Sequence, residues 1–174
     1  MNQSPFNIIR EAKSNSRQLT EAFGWFKRQI ARLKRVTPES LLRNTEHLST
    51  RVSTSPQKMY MFKYDPKTKD KLPYYDTFPL VMPLETYGGG FLGINFHYLP
   101  PKIRKALLDA SRGSMSYSNL SRNKYIRPTI KRYLNKHVTS KFLQIDEEDW
   151  ETSIYLPVER FVKAGNRKVW SNSI

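Results

Sequence analysis

The chain contains no cysteine, which excludes disulfides and thiolate metal sites and makes a reducing compartment the default expectation. Its histidines, His47, His97 and His137, fall in different elements. None has a second histidine at ligand spacing, so no zinc site is expected. No apolar run approaches the roughly 18–20 residues needed to cross a bilayer. The first residues, MNQSPFNIIREAK, also lack the apolar stretch of a secretory signal. A soluble protein with no membrane partner is expected, intracellular or packaged in something assembled inside a cell. Acid is scarce as well: 15 acidic residues face 30 basic ones, for a net charge of +15. A fold gains nothing from this imbalance, because self-repulsion opposes compaction. A polyanion offsets it, and nucleic acid is the commonest such partner. A ribosome-like or virion assembly surface, or an acidic protein partner, remains open as an alternative.

What is present is 174 residues, 13% of them aromatic, enough for one domain with a real core and an appended arm. The division expected is a helical arm and polar linker over 1–57 and an α+β core over 58–174. The charge is unevenly spread. Residues 1–58 hold 11 basic and 4 acidic residues, residues 110–143 hold 8 basic and none acidic, and residues 144–151 hold 5 acidic and none basic.

In the first basic block, Leu19, Ala22, Phe23, Phe26, Ile30 and Leu33 recur at helical spacing and predict a helix over about 16–35. At about 100° per residue, Arg17, Arg28, Arg32 and Arg35 share its opposite face. Such a face is commonly just solvated, but four arginines beside the single acid Glu21 point toward phosphate. Thr37-Pro38-Glu39 reads as the start of a second helix running toward Leu48: a cap residue, proline in the first turn, then an acid. STRVSTSPQ (49–57) reads as a linker.

The middle of the chain is strand-like. KMYMFKY (58–64) alternates, with Tyr60, Phe62 and Tyr64 on one face. TFPLVMPLE (77–85) contains Pro79 and Pro83, which confine it to an edge or an irregular strand. YGGG (87–90) reads as a hairpin turn into FLGINFHYL, and Gly93 within that strand marks a bulge or a close backbone approach. Together these suggest an α+β fold: a small curled antiparallel sheet or SH3-like barrel, with flanking helices and an N-terminal helical arm. PPKIRKALLDA (100–110) predicts a helix packed through Ile103, Ala106, Leu107 and Ala110.

The second basic block opens with a Ser- and Asn-rich loop carrying Arg112, Arg122 and Lys124. A helix is expected from Arg127-Pro128, with Ile126, Ile130, Tyr133, Leu134 and His137 on one face. Arg132 and Lys136 then lie opposite, with Lys131 and Lys141 nearer the flanks. IDEEDWETSIYL (145–156) predicts an acid-started helix anchored by Trp150. A docking site for a basic neighbour is the sharper reading of its acids.

Catalysis finds little support. Asp76 and Glu85 stand nine apart, as in a metal-dependent nuclease, but Glu85 is followed by Thr86 and Tyr87 where such a site needs a base. The glycines feed a strand rather than a helix N-terminus, so they do not form a phosphate-cradling loop. His97, isolated in sequence, reads as a packed, hydrogen-bonded imidazole. Neither a cofactor nor a metal is expected. Tyr74, Tyr75, Phe78 and Tyr87 could stack bases, although packing within the core and turns is favoured.

YMFKYDPKTKDKLPYYDTFPLVMPL, GGGFLGINFHYLPPKIRKALLD, RPTIKRYLNKHV and LPVERF, in that order, resemble a small protein of T4-like tailed bacteriophages, of the DNA end-protector or head-completion type. The resemblance covers about residues 58–162. It implies a non-enzymatic virion protein, present in the host cytoplasm during assembly. Such a protein binds the terminus of the packaged double-stranded DNA near the portal, neck or tail proteins and shields it from exonuclease. The resemblance supplies no contact motif. The DNA-binding candidates, Arg17, Arg28, Arg32, Arg35, Arg122, Lys124, Arg127, Lys131, Arg132, Lys136 and Lys141, therefore rest on charge and helical geometry.

Overall fold

Alternation of bulky residues builds the centre of the molecule. The computed structural model describes residues 4–14, 23–33, 36–43, 46–113 and 117–173. Among them the strands are β1 (Leu48–Ser49), β2 (Met59–Met61), β3 (Tyr75–Asp76), β4 (Leu80–Tyr87), β5 (Gly90–Asn95), β6 (Ile130–Leu134), β7 (Phe142–Ile145) and β8 (Phe161–Val162). The helices are α1 (Pro5–Ser14), α2 (Phe23–Ala31), α3 (Pro38–Leu42), α4 (Pro101–Gly113), α5 (Tyr117–Ser121), α6 (Trp150–Tyr155) and α7 (Asn166–Ser173). Six strands form one antiparallel sheet in the order β1-β7-β2-β4-β5-β6, and β3 pairs with β8 in a separate ribbon. The α+β expectation holds, but β1 and β6 end the sheet without meeting, so it is open rather than an SH3-like barrel.

Each face of the sheet buries a different cluster. Met59, Met61, Leu80, Met82, Ile94, Leu143 and Ile145 pack with Phe6, Ile9, Trp25 and Phe26 of the N-terminal helices and with Leu107, Leu108, Trp150 and Ile154. The other face carries Tyr60, Phe62, Tyr64, Val81, Phe91, Tyr133 and Phe142. The expected face of Tyr60, Phe62 and Tyr64 is thus found. Phe62 is fully buried, and its ring lies 4.9–6.2 Å from those of Tyr64, Phe91, Tyr133 and Phe142 in edge-on arrangements. Such pairs add about 0.5–1.5 kcal/mol each beyond the area they bury.

The β4–β5 hairpin turns where expected, with Gly89 at φ 85°. A Cβ on Gly93 would meet Val81 Cγ1 at 2.3 Å, so the strands need glycine there to approach. β4 is irregular, as its prolines require: its register against β5 shifts between Pro83 and Glu85. Its first residues pair with β2 on the other side, so only the part beyond Val81 is an edge there.

Three helical expectations change. Within the 16–35 prediction, Phe23–Ala31 is helical, with Phe23, Phe26, Ile30 and Leu33 packed on the core and Trp25 buried beside them. Leu19, Ala22, Arg17 and Arg35 lie outside the described residues. α3 has the expected Thr37 cap, closed reciprocally by Ser40, but ends at Leu42, and Leu48 joins a strand. α4 forms as expected with its buried face turned by one residue. Arg104, Leu107, Leu108 and Ser111 are buried, while Ile103, Ala106 and Ala110 are exposed. The cause is Arg104, which hydrophobic patterning assigns to solvent. Its guanidinium donates to Leu99 O (2.8 Å), Ile154 O (2.8 Å) and Glu159 Oε1 (2.5 Å). Burial pulls its pKa down, against the opposing pull of Glu159.

The helix expected from Arg127 is overturned. Arg127–Thr129 is one 3₁₀ turn, Ile130–Leu134 is strand β6, and Asn135–His137 is another 3₁₀ turn. The i, i+3, i+4 spacing of Ile130, Tyr133 and Leu134 suits a helix, but pairing with β5 wins. β-Branched and aromatic residues favour that outcome. Arg132 and Lys136 are therefore not one helical turn apart. The segment 49–57 lies against the body: Ser53 N donates to Tyr60 Oη (2.9 Å) and Gln57 Nε2 to Ser111 O (2.8 Å).

Candidate nucleic-acid interface

The cations from Lys124 to Arg132 are held on a pinned run of backbone. Asn123 Oδ1 accepts from Tyr125 N (2.9 Å), and Thr129 Oγ1 donates to Ile126 O (2.6 Å), which fixes the turns leading into β6. β6 is an edge strand whose register sets Lys131 opposite Gly93 and Arg132 opposite Leu92. Asn135 N donates to Gly89 O (2.8 Å), tying the following turn to the hairpin tip.

Aromatic rings seat four cations of residues 110–143: Arg112 over Trp150 (5.3 Å), Lys124 over Tyr125 (4.9 Å), and two on β6. Arg132 Cζ lies 4.6 Å from the centre of the Tyr87 ring. Tyr87 Oη donates to Tyr133 O (3.2 Å) and Phe91 O (3.4 Å), so the phenol spans to β6. Gly90 makes room for it, since a Cβ there would sit 2.9 Å from Tyr87 Oη and 2.1 Å from Tyr133 O. Lys131 Nζ lies 4.1 Å above the Tyr98 ring, half-buried, and burial lowers its pKa.

Charge pairing is absent from this segment, as it is at Arg28, Arg32 and Arg51 among the described residues. Among the described residues, none of Arg112, Arg122, Lys124, Arg127, Lys131, Arg132, Lys136 and Lys141 forms an ion pair. All but Lys131 are exposed. Most of the acids among the described residues are engaged elsewhere. Asp146, Glu148 and Asp149 hold Arg10 of α1, which keeps the Arg10 pKa above its ordinary value, chiefly through the hydrogen bond to Asp149. Glu39 pairs with Lys63, Asp65 with Lys69, Asp109 and Glu151 with Lys105, and Glu159 with Arg104.

The candidates are not one cluster. Arg28 and Arg32 are exposed on and just after α2, which packs against α6, whereas Arg132, Lys136 and Lys141 belong to β6 and its continuation. Arg122, Lys124 and Arg127 occupy the approach to β6. One cation was missed by sequence reasoning. Arg51, in the polar 49–57 stretch, lines an open groove with Lys141. Composition gives no sign of it, because the two meet only when β1 pairs with β7.

Asp76 and His97, weighed above for catalysis, are both buried. His97 does not stand alone: its Nδ1 donates to Asp76 Oδ2 (2.8 Å), and both side chains are buried. Asp76 also accepts from Asn95 Nδ2 (3.1 Å), Phe78 N (3.0 Å) and Arg160 N (3.3 Å). Burial alone would raise its carboxyl; His97 and these hydrogen bonds outweigh that and hold it below the ordinary value. The carboxylate is saturated with donors and closed to solvent, which is the geometry of a structural pin. It ties β3, the end of β5 and the approach to β8 together. Glu85 is exposed and apart from it. Among the described residues no group of three or more His, Asp or Glu is placed to hold a metal, and no helix is long and apolar enough to cross a membrane.

No curated protein and no solved structure matches the chain. A family model described as the phage T4 terminal DNA protecting protein matches residues 39–173, which takes in α3, the 49–57 stretch and the whole basic segment. The chain therefore belongs to the family of the phage T4 terminal DNA protecting protein.

Proposed function

We propose that this protein binds the end of double-stranded DNA electrostatically and shields it from exonuclease in the virion, without itself catalysing a reaction. The observation that carries the reading is the unpaired charge of residues 110–143. Among the described residues, eight cations stand there without an ion-pair partner, while acids elsewhere are engaged by other cations. Arg122, Lys124, Arg127, Arg132, Lys136 and Lys141 meet the phosphates, with Arg28 and Arg32 of the N-terminal region, and Arg17 and Arg35 beside them in sequence, as a second basic surface. Cations held at fixed positions release condensed counterions when they dock, so binding weakens steeply with salt. Lys131, half-buried over Tyr98, serves the seat of β6 more than the phosphate.

Exposed Ile103, Tyr117 and Tyr125 favour a second contact, to proteins of the portal, neck or tail, made by the same region during assembly in the host cytoplasm. The test of the main reading is exonuclease digestion of linear duplex with and without the protein, across a salt series, with closed circular duplex as competitor. Protection that survives excess circular DNA and fades with salt is expected. Linear duplex digested at the same rate with and without the protein would defeat it.

A further inference from the structure

Beside the hairpin tip lies an open groove of about 590 Å³, within the roughly 300–1,000 Å³ range of pockets that enclose one small ligand. It is too small for a duplex. Its charge comes from Arg51 and Lys141, and no acidic residue lines it. Thr50, Thr86 and Asn135 add exposed polar groups, and Tyr87 supplies an aromatic wall. The walls are held in place. Ser49 Oγ bonds both the amide (3.2 Å) and the carbonyl (2.7 Å) of Arg51, and Ser49 of β1 pairs with Phe142 of β7, the residue after Lys141. Tyr87 is fixed by its bonds to Tyr133 O and Phe91 O. The groove also adjoins the unpaired cations, since Asn135 and Lys141 belong to that segment and Arg132 lies over Tyr87.

We infer that this groove takes an unpaired terminal nucleotide of a DNA strand, its phosphate between Arg51 and Lys141 and its base against Tyr87. The inference rests on the end-binding reading and adds to it a reason for preferring ends. The basic segment alone attracts phosphate anywhere along a duplex. A pocket of this size admits a base only where the strand is frayed or finished, and stacking on an aromatic ring is tolerant of sequence.

The test uses the full chain and DNA hairpins with one free end, either blunt or carrying one to three unpaired nucleotides on the 5′ or 3′ strand. A dumbbell closed at both ends is the control. Anisotropy at constant salt should show about tenfold or tighter binding to at least one overhang over the blunt end, the size expected for one stacked base. Arg51→Gln with Lys141→Gln should abolish that preference. Thr86→Trp, which fills the groove from an exposed strand position that tolerates tryptophan, should abolish it while leaving blunt-end binding within about twofold of wild type. Equal affinity for blunt and unpaired ends, or a preference that survives both variants, overturns the groove alone. Binding no tighter to any free end than to the dumbbell overturns the end-binding reading with it.

Discussion

Two neighbouring stretches of this chain carry opposite charge and opposite fates. Residues 110–143 have eight basic and no acidic residues, and residues 144–151 have five acidic and no basic ones. Adjacency in sequence suggests that they neutralise each other. They do not: the acidic run turns to Arg10, in the first helix, and through Glu151 to Lys105 of α4. The acidic run is thus paired within the same molecule, where it helps seat the N-terminal helix. Among the described residues, the basic stretch is left without an ion-pair partner. Net charge alone therefore says little about a working surface; what matters is which charges remain after the fold has paired the others.

The comparison predicts that the engaged acids govern stability and the unpaired cations govern binding. The largest effect is expected at Asp76, an acid spent entirely inside. Asp76→Ala leaves the donors of His97 and Asn95 buried without their acceptor and should cost about 3–5 kcal/mol in urea unfolding. Its carboxyl pKa lies below the unfolded value, so its contribution is present above the ordinary carboxylate range. That contribution is lost as pH falls through the folded value. Acid unfolding of the wild type should accordingly be steeper than that of Asp76→Asn. Identical acid profiles would count against this assignment.

A smaller loss is expected at the acidic run. Asp149→Asn should destabilise by roughly 1–2 kcal/mol, reduced because Arg10 is 37% exposed and water screens the pair. A double-mutant cycle with Arg10→Ala should show coupling of the same sign, and additive losses would break the link between α1 and the acids.

The smallest effect on stability belongs to the basic stretch. Arg132→Ala with Lys136→Ala should change unfolding free energy by no more than about 0.5 kcal/mol for Lys136, and slightly more for Arg132 through its Tyr87 contact. The same pair should lower the salt-dependence slope of duplex binding by about 1.8, from about 0.9 per phosphate contact. A slope equal to that of wild type would remove both residues from the DNA surface.

Much of the frame was legible beforehand. The alternation of Tyr60, Phe62 and Tyr64, the Tyr87–Gly90 turn, the close approach at Gly93 and the Thr37 cap were found, because each is written in a short sequence pattern. The helix expected over 145–156 is found only from Trp150 to Tyr155, with Ile145 in β7 and Glu147–Asp149 a 3₁₀ turn. The failures share a cause. β6 was read as a helix because its apolar spacing fits both periods, and the choice was made by β5. α4 turned by one residue because Glu159, some 55 positions away, makes a buried arginine tolerable. α7 went unread, its polar sequence anchored through Val169 and the Trp170 bond to His97 O.

The sequence by itself determined the excess of positive charge, the absence of cysteine chemistry, the strand-rich middle and the resemblance to phage end-protecting proteins, since all of these are properties of composition or short motifs. Only the tertiary structure decided that His97 and Asp76 are one buried pin, that Arg51 faces a groove with Lys141, and that, among the described residues, the cations of 110–143 find no ion-pair partner. Ion pairing and burial act through space over a few ångströms, and the chain brings those partners together from tens of residues apart.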